Sequence, residues 1–144
     1  MGCLLSILVV VTDPLPADSI ERALDAHGSQ RLTRATVAFV FRGAKFEVER
    51  DTNGVFRYAR QTVQGGREIR DTLTNAGTTR RIDGTPVQLS PDEERAVAES
   101  LNSVVYFATL PFALQDAAVR SEELGSETID GESFLRVRVS FVPE

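Results

Sequence analysis

Between residues 36 and 89 the chain repeats one device: a stretch in which apolar and polar residues alternate, followed by a tight-turn dipeptide. Val37, Phe39 and Phe41 alternate with Thr36, Ala38 and Val40, and Phe46 and Val48 alternate with Lys45, Glu47 and Glu49. A two-residue repeat sends successive side chains to opposite faces, so each stretch can bury one face and wet the other, as antiparallel strands do. Gly43 and Ala44 are read as the first turn. Asp51-Thr52-Asn53-Gly54 is the strongest hairpin signal, because Asn-Gly supplies the positive φ angles that a type I′ turn demands. Gly65-Gly66, Asn75-Ala76-Gly77 and Asp83-Gly84 then separate the stretches 55–62, 67–74, 78–82 and 87–89. Hairpins joined this tightly make an up-and-down meander.

Two helices interrupt the strand pattern. Residues 18–28 read as a short amphipathic helix with Asp18 or Ser19 as N-cap, Ile20, Ala23, Leu24 and His27 on one face, and Gly28 as the terminating residue. Ser90-Pro91-Asp92-Glu93 opens a longer one: Ser90 is the N-cap, Pro91 sits at the first helical position, and Glu93 reaches back to complete a capping box. Val97, Leu101, Val104, Val105 and Ala108 recur at helical spacing, which predicts an apolar stripe laid on the sheet, and Pro111 is read as the stop. Residues 122–129 and 133–142 resume the strand period around Asp130-Gly131, with Leu135, Val137, Val139 and Phe141 on one side. The fold class predicted is α+β, a curved antiparallel sheet with a short N-terminal helix and one long helix packed on its concave face. The strand at residues 134–142 has no obvious neighbour on its second edge, so either the sheet is incomplete by design or the chain is truncated at its C-terminus.

At 144 residues the chain suits one domain, read as residues 18–144 around one core. A net charge of -5 and sixteen Lys and Arg spread along the chain leave no basic footprint for phosphates, so nucleic acid is not expected as a partner. The single cysteine, Cys3, excludes an intrachain disulfide and Cys-rich zinc motifs. Residues 4–11 (LLSILVVV) are an apolar run shorter than the ~20 residues of a spanning helix. Residues 1–17 are read first as an atypical or clipped signal or anchor segment, although no Lys or Arg precedes the run and no clean cleavage site follows Asp13, Pro14 and Pro16. A buried first strand is the alternative, since residues 7–11 are rich in β-branched side chains. Met1-Gly2-Cys3 with Ser6 also fits a loose lipidation pattern.

No complete catalytic set is visible. His27 is the one histidine, which rules out His-cluster metal sites and leaves it better suited to capping carbonyls at a helix end. Asp92, Glu93 and Glu94 belong to the first turn of the long helix, where the dipole favours acids, and Glu122 with Glu123 reads as a solvated strand start. Gly65-Gly66 lacks the strand-to-helix context of a phosphate loop. Arg67, Arg70, Arg80 and Arg81 could line one sheet face and receive an anion, but alternating arginines more often serve solubility. No cofactor and no metal are implied, and an enzyme would have only His27 and Tyr58 as acid or base. What stands out is apolar: Tyr106, Phe107, Leu110, Pro111, Phe112 and Leu114 crowd the end of the long helix and the loop behind it. Such a loop either tucks under a sheet or lines a pocket. In the second case Val105, Tyr106, Leu110, Phe112 and Leu114, with Phe39, Phe41 and Tyr58 from the sheet, are the candidate ligand-binding residues.

The stretch Asn102-Ser103-Val104-Val105-Tyr106-Phe107, then Leu110-Pro111-Phe112, Leu114, Asp116, Ala118-Val119, Leu124-Gly125 and Ile129-Asp130-Gly131, resembles an uncharacterised bacterial family of secreted proteins and lipoproteins. Ala26-His27-Gly28 and Tyr58-Ala59-Arg60 match that family as well, so the resemblance covers about residues 20 to 142. By a further step of fold analogy it implies a half-barrel similar to lipoprotein carriers of the LolA and LppX kind, whose sheets hold apolar cargo against helices. The function this implies is an exported, periplasmic or cell-envelope domain, non-enzymatic, that binds a hydrophobic small molecule or lipid, or the tail of a lipidated protein, between sheet and helix. Peripheral membrane association fits the same reading. The rival is a structural or protein-interaction module that pairs a partner on an exposed sheet edge.

Overall fold

A computed structural model describes residues 19–142 in full and the backbone of residues 5–10. The expected Asp18 cap, the lipidation pattern at Met1–Cys3 and the Asp13-Pro14 and Pro16 segment lie outside the described residues. Two compact units are present. One is Arg31–Thr109, and the other is built from elements on either side of it in sequence. The architecture is α+β with antiparallel sheets, as the alternation predicts.

In the Arg31–Thr109 unit, six strands form an open meander: β2 (Ala35–Phe41), β3 (Ala44–Arg50), β4 (Phe56–Gln64), β5 (Arg67–Thr74), β6 (Gly77–Ile82) and β7 (Thr85–Val87). Each pairs with the next, and the sheet is not closed into a barrel, so β2 and β7 are its edges. The first turn falls one residue earlier than Gly43 and Ala44. Arg42 and Gly43 both take positive φ, 49° and 80°, while Ala44 is already paired with Phe41, so the type I′ geometry belongs to Arg42-Gly43. At Asp51–Gly54 the expected hairpin forms but the type I′ turn does not, because there only Gly54 has positive φ, 78°. The Asp51 carboxylate instead accepts from the Asn53 and Val55 N–H groups at 2.8 and 3.0 Å, which fixes a wider loop.

Register decides which side chains share a face. Val37, Val48, Tyr58 and Leu73 are cross-strand partners in sequence, and so are Phe39, Phe46, Arg60, Asp71 and Arg80. Helix α2 (Pro91–Ala108) packs against β4, β5 and β6 on this face. Its start is fixed as predicted: Ser90 Oγ accepts from the Glu93 N–H, and the Glu93 carboxylate accepts from the Ser90 N–H at 2.8 Å. It ends where a helix over residues 90–109 is expected to, two residues before Pro111: Thr109 is the C-cap, and its hydroxyl and N–H both turn back to the Val105 carbonyl. Val97, Leu101 and Val105 are buried against Phe46, Val48, Tyr58, Leu73 and Leu89, and each such side chain contributes about 1.5–3 kcal/mol of burial.

The other unit contains β1 (Leu5–Val10), α1 (Ser19–Ala26), a 3₁₀ turn at Phe112–Gln115, β8 (Val119–Ile129) and β9 (Glu132–Phe141). The strand order is β1-β9-β8, all antiparallel. The expectation that the last strand lacks a second neighbour is therefore corrected: β9 is central, because the apolar run near the N-terminus supplies the strand that pairs with its other edge. The Asp130-Gly131 turn is type I′, and a bulge between Glu123 and Ser126, where Gly125 has φ 84°, bends β8. Leu135, Val137 and Val139 are buried, while Arg136 and Arg138 on the opposite face pair with Glu127 and Glu122. In α1, Ala23 and Leu24 are buried, and the Ser19 hydroxyl donates to the Glu123 carboxylate. No helix among the described residues is long and apolar enough to cross a membrane.

Candidate functional site

A groove of about 610 Å³ lies within the Arg31–Thr109 unit, between the end of the edge strand β2 and the C-terminal half of α2. Phe39, Val40, Phe41 and Arg42 form one wall, and Ser103, Val104, Phe107 and Ala108 the other. Its position follows from the mismatch between sheet and helix. The helix covers β4 to β6, so the far end of β2 extends beyond it and leaves aromatic surface uncovered. Phe39 is fixed by stacking on Phe46, with ring centroids 5.2 Å apart and planes 4° from parallel. Val40 and Phe107 remain 68% and 49% exposed, unusual for side chains of this size on adjacent elements. The Arg42 guanidinium stands over the Phe41 ring, 5.2 Å from its centroid.

Beside the apolar core, the same helix-facing side of the sheet carries a buried ion-pair cluster. Asp71 is fully buried in β5, and its register partners on either side are both arginines. Arg60 Nη2 donates to its Oδ2 at 2.7 Å, and Arg80 donates through Nε at 2.7 Å and Nη2 at 3.1 Å. Arg60 also reaches the Ser100 hydroxyl of α2 at 2.7 Å, which ties the helix to the cluster. Burial pushes the Asp71 carboxyl pKa up, but the hydrogen bonds from Arg80 and Arg60, with their charges, outweigh it and hold the group below the ordinary carboxylate range. Every carboxylate oxygen of Asp71 is thus occupied, so the cluster is a structural device rather than an acid or base.

The opposite face is a second network. Arg57 donates to Glu49 at 2.8 Å and to Glu47 at 3.2 Å, and Arg70 donates to Glu47 at 2.7 Å. Both glutamates have lowered pKa values, with the Arg57 hydrogen bond the largest cause in each. The anion-receiving face considered for Arg67, Arg70, Arg80 and Arg81 does not form. Neighbouring strand residues alternate in direction, so Arg80 and Arg81 point to opposite faces, while Asp83, Glu47 and Asp71 take Arg67, Arg70 and Arg80.

Of the candidate ligand residues, Phe39 and Phe41 line the groove. Tyr58 and Val105 are buried in the core beside it. Tyr106 is half-buried and meets Phe107 edge-on at 5.7 Å. Leu110, Phe112 and Leu114 belong to the other unit, Leu114 buried and the first two half-buried. The lining residues not selected from sequence are Val40, Arg42, Ser103, Val104, Phe107 and Ala108. Val40 is exposed, as its place on the wet face of the alternation predicts, and its uncharged character is the one sequence signal for a place in the lining. His27 is exposed just beyond α1, and Tyr58 is enclosed by Val48 and Leu73. Among the described residues no group of three or more His, Cys, Asp or Glu side chains is arranged to hold a metal ion.

No curated protein and no solved structure matches the chain. A family model does, over residues 18–143, and the chain belongs to that family, a family of unknown function (DUF6503).

Proposed function

We propose that this chain is an exported, non-enzymatic domain that binds a hydrophobic ligand in the groove between β2 and α2. The observation that carries the reading is the groove itself: six of its eight lining residues are apolar, and its volume of about 610 Å³ falls within the ~300–1,000 Å³ of small-molecule sites. Two phenylalanines of the edge strand, one locked onto the core, give it a preformed wall, so an apolar chain can enter without first ordering its host. The bacterial secreted and lipoprotein character of the resembled family, and its likeness to half-barrel carriers, supports a periplasmic or envelope location and a lipid or lipidated protein as the source of the ligand. Peripheral membrane contact would serve loading and release.

Native mass spectrometry of the purified chain, with solvent extraction of anything bound, tests the reading. A copurifying lipid, or saturable binding of a fluorescent fatty acid that is lost when Phe41 is changed to Asp, is the expected result. A ligand-free protein that ignores such probes would remove it.

A second reading rests on β2 itself, which is seven residues long, uncharged and on the edge of its sheet, whereas β7 at the other edge is three residues with a central Pro86. An unblunted edge suits the addition of a strand from a partner. Protection of β2 amides from hydrogen exchange by a partner, without any small ligand, would favour this reading over the first.

A further inference from the structure

We infer that the groove selects an amphiphile with one apolar chain and an anionic head, and that Arg42 receives the head; this rests on the ligand-binding reading of the groove. Three observations converge on Arg42. It is one of the two polar side chains in the lining, the other being Ser103. It makes no ion pair among the described residues, whereas Arg57, Arg60, Arg67, Arg70 and Arg80 on the same sheet are each held by a carboxylate. Its backbone also adopts a conformation that disfavours it.

The third point is the most specific. Four turns have positive φ at both central residues, and their first positions are Arg42, Gly65, Asp83 and Asp130. Glycine has no Cβ to clash there, and aspartate compensates with a short side chain that bonds locally. Arginine does neither, so the turn retains a residue unfavourable to its own geometry, and such outliers are associated with function. What the arginine supplies is a guanidinium at the rim of the groove, resting on the Phe41 ring. Planar guanidinium groups suit carboxylate and phosphate alike. The opposite wall disfavours an anion, since the last turn of α2 carries no basic residue and presents the negative end of the helix dipole. The head is therefore directed to Arg42 and the chain to Phe39, Phe41, Val104 and Phe107.

The test uses the full chain with three probes of equal chain length: palmitate, hexadecyl phosphate and methyl palmitate. The comparison is with Arg42→Asn, chosen because asparagine tolerates positive φ and keeps the turn. The expected result is that one or both anions bind the wild type more tightly than the ester does, and bind Arg42→Asn about tenfold more weakly, while the ester is unaffected. Which anion responds more identifies a free fatty acid or a phosphate head as the source. A second measurement needs no variant: anion affinity should fall with rising ionic strength and ester affinity should not. Anions that bind no better than the ester, or that bind Arg42→Asn as tightly as the wild type whatever their response to salt, overturn this inference and leave the apolar groove standing. Failure of all three probes to bind overturns both.

Discussion

Arg60 lies 2.7 Å from Asp71 on the neighbouring strand, and the same guanidinium reaches 2.7 Å to Ser100 on α2, so one side chain joins the sheet, its buried charge and its covering helix. Removing the carboxylate leaves Arg60 and Arg80, on the strands flanking β5, without the acid that bonds both, and only the charge of Glu93 remains near Arg80. Breaking a buried pair costs about 3–5 kcal/mol, but these arginines keep 20% and 25% of their side-chain surface in water and recover some hydration. Asp71→Ala is therefore expected to lower unfolding free energy by about 2–3 kcal/mol, read from the urea midpoint. A change of under about 0.5 kcal/mol would show the cluster to be decorative.

The same group sets a pH dependence. The Asp71 pKa is depressed in the folded state, as are those of Glu47 and Glu49, so each contributes stability that is complete above its unfolded value, 3.8 for Asp71 and 4.5 for the glutamates. That stability is lost as pH falls through the lower folded values. Unfolding free energy should be flat near neutral pH with respect to these groups and decline below about pH 4.5. Asp71→Asn should shallow the acid limb. An unaltered slope in that variant would mean that Asp71 does not titrate in the folding transition.

The cap of α2 gives an independent check on local chemistry. Ser90→Ala removes the acceptor for the Glu93 N–H and should cost about 1 kcal/mol. Gly54→Ala should cost about 1–2 kcal/mol for a different reason. No atom lies within 4 Å of the added Cβ, so the penalty is the φ of 78° alone. Chemical denaturation of the two variants, together and apart, should give additive losses because the sites share no partner.

The six meander strands, their order and the capped helix are legible because they rest on local rules: alternation, turn dipeptides and a Ser-x-x-Glu start. Two turns depart from the sequence reading for a physical reason, Asn53-Gly54 in type and Gly43-Ala44 in position by one residue. Asn53-Gly54 carries a strong type I′ preference, but Asp51 satisfies the loop's N–H groups and widens it, while Arg42 enters positive φ with no sequence signal that an arginine would. The central place of β9 was not legible from its own pattern, since the residues that pair with its second edge lie more than a hundred positions away. Likewise Asp71 gives no sign by itself. Only the register, which sets Arg60 and Arg80 directly opposite it, turns an acid in a strand into a buried one. The groove was half visible: Phe39 and Phe41 follow from alternation, but the opposing Val104 and Phe107 depend on where the helix crosses the sheet.

Groove and core can be separated by paired substitutions three positions apart on α2, at Val105 and Ala108. Val105 is fully buried among the core side chains, so Val105→Ala removes packing and should cost about 2 kcal/mol or more. It leaves every lining side chain of the groove in place. Ala108 is exposed and lines the groove, so Ala108→Trp adds bulk where a ligand would lie without displacing a core contact. Its effect on stability should stay within about 0.5 kcal/mol. Binding of an apolar fluorescent probe should fall about tenfold or more in Ala108→Trp, which corresponds to at least about 1.4 kcal/mol. Val105→Ala should keep its affinity under conditions where it remains folded. The opposite pattern, with Val105→Ala losing the probe and Ala108→Trp keeping it, would move the binding site out of the groove and into the helix-sheet core.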